Sequence, residues 1–212
     1  MISKLVAKTC RRLSVFTKRI ATDSSGVAAV EFAFVLPILA VMLLGTVEVA
    51  RAVDADRRFG NATAMTTDLI AREQEIDTAD LDGMMQAITH LMRPYDAATL
   101  SLGVIAVRAP ITVGQQPRVE WSYSHNGKTV PAKCATYALP NNLVSPGGRV
   151  IVVETTYQFA PLFVNWDENP LTDSLSNGTI TWNDQALLTP RSDCVHNSSQ
   201  QTSASRCDFS CP

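Results

Sequence analysis

Charge is scarce in this chain. Only 18% of its 212 residues are Asp, Glu, Lys or Arg, less than a soluble domain usually carries. The formal net charge is −2, so no general attraction to nucleic acid is expected. Catalytic signatures are lacking too: there is no Gly-x-Ser-x-Gly elbow, His-Glu-x-x-His, P-loop or Gly-x-Gly-x-x-Gly. His90, His125 and His196 are scattered, which fits surface residues better than a base or a metal set. The acidic pairs Asp54/Asp56 and Asp167-Glu168 fit solvated faces better than a carboxylate dyad. Neither an enzyme nor a cofactor is expected. Internal repeats and collagen-like or coiled-coil tracts are missing as well. The Asn-x-Ser/Thr triplets at Asn61, Asn177 and Asn197 are common by chance in a polar sequence.

The longest absence of charge runs from Phe32 to Val47. Extended to Val27 and Ala50, with Glu31 and Glu48 as its interruptions, it forms a helix about 36 Å long. That crosses a hydrocarbon core of about 30 Å, and few buried core helices are apolar on every side over such a length. Ahead of it lies a basic leader, residues 1–26. Its Lys4, Lys8, Arg11, Arg12, Lys18 and Arg19 face Asp23 alone, a balance of +5, so the rest of the chain carries −7. Arg51, Arg57 and Arg58 follow the run closely. The positive-inside rule then puts the amino terminus in the cytoplasm and the bulk of the chain beyond the membrane. Inside the run, Pro37 removes one helical hydrogen bond and favours a kink. Glu31, near the cytoplasmic edge, either snorkels to the headgroups or has a designated partner.

Cysteines follow the same division. Cys10 sits in the leader, while Cys134, Cys194, Cys207 and Cys211 all follow the apolar run. An even number on the exported side favours disulfides, with three pairings open. A metal site at Cys194, His196, Cys207 and Cys211 is the alternative, but its spacing matches common zinc sites poorly.

The junction Ser24-Ser25-Gly26-Val27-Ala28-Ala29-Val30-Glu31-Phe32 suits processing. Cleavage after Gly26 would remove the basic leader and leave Glu31 as the fifth residue, placed to meet the new amino terminus of a neighbouring subunit. The pattern resembles the cleavage signal of type IV prepilins and pseudopilins. More narrowly, Gly26, Glu31-Phe32, the Pro37-containing apolar run and Gly45-x-x-Glu48-x-x-Arg51 resemble the TadE-like family of tight-adherence (Flp) pilus systems, over about Ser24–Arg58. The resemblance implies a minor pseudopilin-like subunit that helps assemble or tip a pilus. Its implied partners are the cytoplasmic membrane, other pilin subunits, the assembly machinery and, for some members, a prepilin peptidase. The implied assembly residues are Glu31, Phe32, Pro37, Glu48 and Arg51, with Gly26 and Val27 as the processing site. Two alternatives fit the same residues. One is a permanently anchored binding protein or adhesin. The other is a secreted protein cut after Ala52, in the Ala50-Arg51-Ala52 sequence.

Beyond the membrane, Val49, Val53, Ala62, Met65, Leu69 and Ile70 recur at helical spacing to about Glu73, with Gly60 as the one weak point. This extension suits a stalk packing along neighbours or, equally, a helix packing on its own domain. A second helix is expected over Thr78–Met92, capped by Asp77 or Thr78 and ended by Pro94. Leu81, Met84, Met85, Ile88 and Leu91 form its apolar face. Strands are expected at Leu100–Arg108, Pro117–His125, Arg149–Phe159 and Thr179–Leu188, with a tight turn at Asn126-Gly127 and a short returning strand in Lys128–Thr136. The alternation suggests one packed and one wet face. Trp121, Tyr123, Tyr157, Trp166 and Trp182 fit core or cross-strand pairs better than a sugar platform. The expected fold is α+β: a long N-terminal transmembrane helix (27–75 with its stalk) extending into a small exported domain (76–212) with an antiparallel sheet and a cysteine-containing tail.

Overall fold

The computed structural model describes residues 25–112, 114–140, 143–162, 179–201, 207 and 211. The leader with Cys10, Trp166 and the Asp167-Glu168 pair lie outside them. Two compact units divide the chain, Met1–Val49 and Ala50–Pro212. Helix α1 spans Ser25–Arg72 and continues through both Pro37 and Gly60. It is followed by β1 (Glu75–Ile76), α2 (Thr78–Leu91), β2 (Ser101–Arg108), β3 (Arg118–His125), β4 (Arg149–Phe159), β5 (Ile180–Leu188) and β6 (His196–Asn197).

The second unit is a four-stranded antiparallel sheet, ordered β3-β2-β4-β5, with helices against one face. From Ala55 onward α1 buries Ala55, Phe59, Ala62, Thr63, Thr66, Thr67 and Ile70, a face spaced by three and four residues. Most of these side chains are small, which lets the helix lie close to the strands. The threonine hydroxyls bond carbonyls four residues back, from Thr63 to Phe59, Thr66 to Ala62 and Thr67 to Thr63. Thr63 also meets Thr155 of β4 at 2.7 Å. The outer half of α1 is thus a core helix of its own domain, not a stalk standing clear of it. Val49, Val53, Met65 and Leu69 keep the expected spacing but are exposed, because the closest approach to the sheet selects small residues and leaves larger ones on the flanks.

Helix α2 starts on a capping box. The Asp77 carboxylate accepts from the Asp80 N–H at 2.7 Å and the Asp80 carboxylate from the Asp77 N–H at 3.1 Å. Leu81, Met85 and Ile88 are buried and Met84 partly so. Leu91 is exposed, and Met92 just beyond the helix fills the core instead.

The expected wet face of the sheet is largely covered. Ile105, Val107, Val119, Val150 and Val152 form a second core under Val130, Tyr137, Leu139 and Val144, which come from the segment between β3 and β4. Asn126 and Gly127, both at positive φ, turn the chain out of β3. The returning segment then pairs with the start of β3 through one bridge, Arg118 with Thr136, rather than a full strand. Gly103 makes the covering possible, since a Cβ there would sit 2.5 Å from Val130 Cγ1. Ser122 and Ser124 of β3, Glu154, Thr156 and Gln158 of β4, and alternate residues of β5 keep the one-sided pattern.

The chain after β5 forms a strap. The Arg191 N–H bonds the Ala71 carbonyl at the end of α1, the His196 N–H bonds Gln74, and β6 pairs in parallel with β1. The Trp121 indole N–H reaches the Val195 carbonyl at 2.8 Å. Arg149 binds buried Glu120 at 2.8 Å and donates to the carbonyls of Asp193 and Cys207. The four cysteines that follow the apolar run join as Cys134–Cys211 and Cys194–Cys207. These bonds consume the thiolates that the zinc alternative would need.

Three outcomes are expected, each read by urea unfolding of the detergent-solubilised full chain. Gly60 is helical, and an added Cβ would meet Asp184 Oδ2 at 3.6 Å, an ordinary contact; Gly60→Ala should stabilise by about 0.5–1 kcal/mol. The Cys134–Cys211 bond spans 77 residues and Cys194–Cys207 spans 13. In the chain-entropy account, removing the former costs about 1.5 kcal/mol more than removing the latter. Burial pushes the Glu120 carboxyl up, opposed by Arg149. The folded state therefore holds that proton more tightly, and the Glu120 contribution to stability falls as pH rises above the ordinary glutamate value of 4.5. Glu120→Gln should flatten that slope, and a slope unchanged by the substitution would assign it to other groups.

Candidate assembly site

In the first unit, α1 presents apolar side chains on every side. Phe32, Phe34, Leu36, Ile38, Val41, Met42 and Leu43 are all exposed. This stretch is long and apolar enough to cross a membrane, and none of its most apolar window is buried. It fits a single-pass membrane protein. Exposure of this kind in water would cost roughly 1.5–3 kcal/mol per large side chain, so hydrocarbon is the natural solvent for it.

Gly26 and Val27 lie exposed in the first turn of α1. Glu31, one turn further on, is also exposed and is followed by Phe32. Pro37 has no N–H to give to the Ala33 carbonyl, yet the helix runs on through it. The Thr46 hydroxyl bonds the Met42 carbonyl at 2.8 Å, so this polar group is satisfied within the helix. Glu48 is buried, with 8% of its surface exposed.

In the second unit, Arg51 is half-buried. Its guanidinium stacks over two rings, 5.9 Å from the centroid of Tyr95 and 5.8 Å from that of Phe159. Phe159 stacks on Trp182 at 5.2 Å, and Tyr157 links Trp182 to Phe59. One turn along the helix, Asp54 accepts from Arg58 at 2.8 Å and from the Tyr95 hydroxyl at 2.9 Å. The hydrogen bond from Arg58, then that from Tyr95, hold the Asp54 carboxyl below its ordinary value. Burial and the Asp54 carboxylate push the Tyr95 hydroxyl up. Arg58 also donates to the Arg93 carbonyl at 2.8 Å. The Arg51–Arg58 turn of α1 is thereby fixed to the segment after α2 and to the end of β4.

The residues expected to act together are thus divided. Gly26, Val27, Glu31, Phe32, Pro37 and Glu48 lie in the first unit and Arg51 in the second. The disulfide cysteines belong to the strap and the covering segment. Sequence reasoning did not find Tyr95, Phe159 and Trp182 as the setting of Arg51. The i,i+4 spacing of Asp54 and Arg58 was a readable signal, but nothing local ties Tyr95 to Asp54 across 41 residues.

The aromatic residues that could have formed a platform are mostly interior. Trp121 and Tyr157 are buried, and the Tyr123 hydroxyl donates to Asp82. His90 lies exposed on α2 and His125 ends β3 half-buried, whereas His196, expected at the surface, is buried in β6 where the strap pairs with β1. Among the described residues, no three His, Cys, Asp or Glu side chains are grouped to hold a metal ion.

No curated protein and no solved structure matches the chain. The model of one family, described as TadE-like protein, does match, over residues 26–68. That span holds Gly26, Glu31, Pro37, Glu48 and Arg51 and lies wholly within α1, so it is as a TadE-like segment that this helix is recognised.

Proposed function

We propose that the chain is a minor pseudopilin-like subunit of a tight-adherence pilus, held in the cytoplasmic membrane by α1 and acting through helix association rather than chemistry. The observation that carries this reading is the coincidence of the TadE-like match with a helix that is apolar and exposed on every side before Glu48. The amino terminus lies in the cytoplasm and the sheet domain beyond the membrane, as the basic leader requires. Disulfides in the domain fit an oxidising compartment. The partners are other pilin subunits and the assembly machinery.

In this reading Gly26-Val27 is the processing site and Glu31 the intersubunit partner. A carboxylate in hydrocarbon costs up to about 3 kcal/mol on insertion scales, and a neighbour's α-amino group would offset it. Pro37 removes one hydrogen bond from a helix that otherwise runs on through it, and Phe32 packs beside Glu31 against the neighbour.

One observation favours a second reading, a permanently anchored protein. Gly26 lies within the helix that begins at Ser25, so a peptidase would have to unwind that turn first. Secretion by cleavage after Ala52 has less support, because it would take Arg51 away from the rings of Tyr95 and Phe159.

Amino-terminal sequencing from the native host separates these. Val27 as the first residue is the expected result. An intact Met1 identifies a permanent anchor, and Val53 a secreted protein. Glu31→Ala should leave the chain membrane-bound while lowering the number of pili per cell; undiminished pilus number would remove Glu31 from assembly.

A further inference from the structure

Arg118, Arg108 and Arg149 stand side by side in one row across β3, β2 and β4. Residues paired in this way share a face of the sheet, and like charges directly opposite one another are destabilising. The Glu120 carboxylate answers Arg149 at 2.8 Å. Arg118 is exposed, and among the described residues no hydrogen bond or ion pair engages its guanidinium. Lys133, also exposed, adds to the positive field at this end of the sheet.

Arg108 and Arg118 line a cleft of about 240 Å³ with Thr112, Gln115 and Gln116. Beside it, sharing residues 109–112 as a wall, runs a cleft of about 460 Å³ lined by Ile111, Leu139, Leu143 and Val144, a usual size for a ligand cleft. Ile111 leaves 70% of its surface exposed and Leu143 42%. The walls are preformed. The Ala109 N–H donates to the Gly148 carbonyl at 2.8 Å, and the Gly147 N–H to that of Pro110 at 3.3 Å. Gly147 sits at φ 77°, and a Cβ there would press on Ile111 Cγ1 at 3.3 Å. Leu139 and Val144 are backed by the second core of the sheet.

We propose that these adjoining clefts bind an extended acidic segment of a partner protein, with a carboxylate on Arg118 beside Arg108 and a nearby aliphatic side chain against Ile111 and Leu143. The inference concerns the 50–212 unit alone and is independent of the pilus reading.

Charge complementarity selects the occupant. An exposed guanidinium offers a planar fork of N–H donors that matches a carboxylate. A small inorganic anion would use that fork and leave the aliphatic cleft empty. An acidic glycan would do the same and would need a longer track of cations. A peptide supplies a carboxylate and an aliphatic side chain within one or two residues of each other. Its backbone groups can also pair with the Thr112 hydroxyl and the exposed amides of Gln115 and Gln116.

The test uses the detergent-solubilised full chain and a fluorescein-labelled hexapeptide of alternating Asp and Leu, with an Asn-and-Leu copy as control, read by fluorescence polarisation. The Asp peptide should bind at least about tenfold more tightly than the Asn copy, the difference one charge-assisted pair makes. Arg118→Gln and Arg118→Glu should each weaken the Asp peptide by about tenfold or more and leave the Asn copy unchanged. Ile111→Ser should weaken both peptides. Unchanged disulfide pairing by non-reducing mass analysis verifies the fold of each variant. Equal binding of the two peptides, indifference to Arg118, or no binding at millimolar concentration overturns the proposal. Arg118-dependent binding of heparin or of phosphatidylglycerol vesicles, with none of the peptide, overturns it in favour of a glycan or a lipid surface.

Discussion

One helix has to suit two solvents, and most of the structure follows from how it does so. Before Glu48, α1 is apolar on every side and carries a single carboxylate, Glu31, near its start. After Arg51 it carries charges on the outside and a buried face of Ala, Thr, one Phe and one Ile. That second face fits no membrane requirement. Its small residues let the helix press on β4, and its hydroxyls stay bonded to their own helix where they leave water. Thr63 and Thr155 join helix and sheet through a buried polar contact at 2.7 Å.

The strap completes what the helices alone leave open. The end of α1 and the start of α2 present backbone groups that need partners. Arg191, His196 and Ser198 supply N–H donors to Ala71, Gln74 and Ile76. Arg149 then ties the strap to the sheet through two carbonyls and Glu120. This part of the sequence is polar and rich in Ser, Gln and Asn, a composition that does not hold itself in place. Two disulfides do so, one to the segment over the outer sheet face and one within the strap.

The elements were legible where periodicity and punctuation agree. The apolar run, the Asp77 cap, the Asn126-Gly127 turn and four strands rich in Val, Ile and aromatics all stand in the sequence. Two readings by helical spacing were only partly right. Val49, Val53, Met65 and Leu69 looked like the packed face of α1, yet the sheet comes so close that Ala and Thr occupy it. Leu91 gave way to Met92 because α2 ends one residue before the core does. The covered outer face of the sheet was hidden for a different reason. Pro, Asn and Gly mark Leu139–Gly148 as a loop, and nothing in them says that Leu139 and Val144 pack against the cluster of Ile105, Val107 and Val152. The setting of Arg51 is of the same kind, made by residues far apart in sequence.

These packing facts limit how the proposed assembly could work. From Ala52 to Ile70 the inward face of α1 is taken up by its own sheet, with Thr63 committed to Thr155 and Phe59 to Tyr157. A neighbouring subunit could reach that face only by prising the helix off, at the cost of a buried core that includes Phe59, Ile70 and Tyr157. Each such side chain is worth about 1.5–3 kcal/mol, so the total exceeds what a helix contact would return. The inward face of the outer half is thus closed to a neighbour, whereas the stretch before Glu48 is apolar and exposed on every side. Within that stretch only Glu31 offers a partner-specific charge. In the proposed assembly, removing Glu31 should therefore spare the fold of the sheet domain and act on subunit pairing alone, a separation that a chain with its assembly face inside its own core could not show.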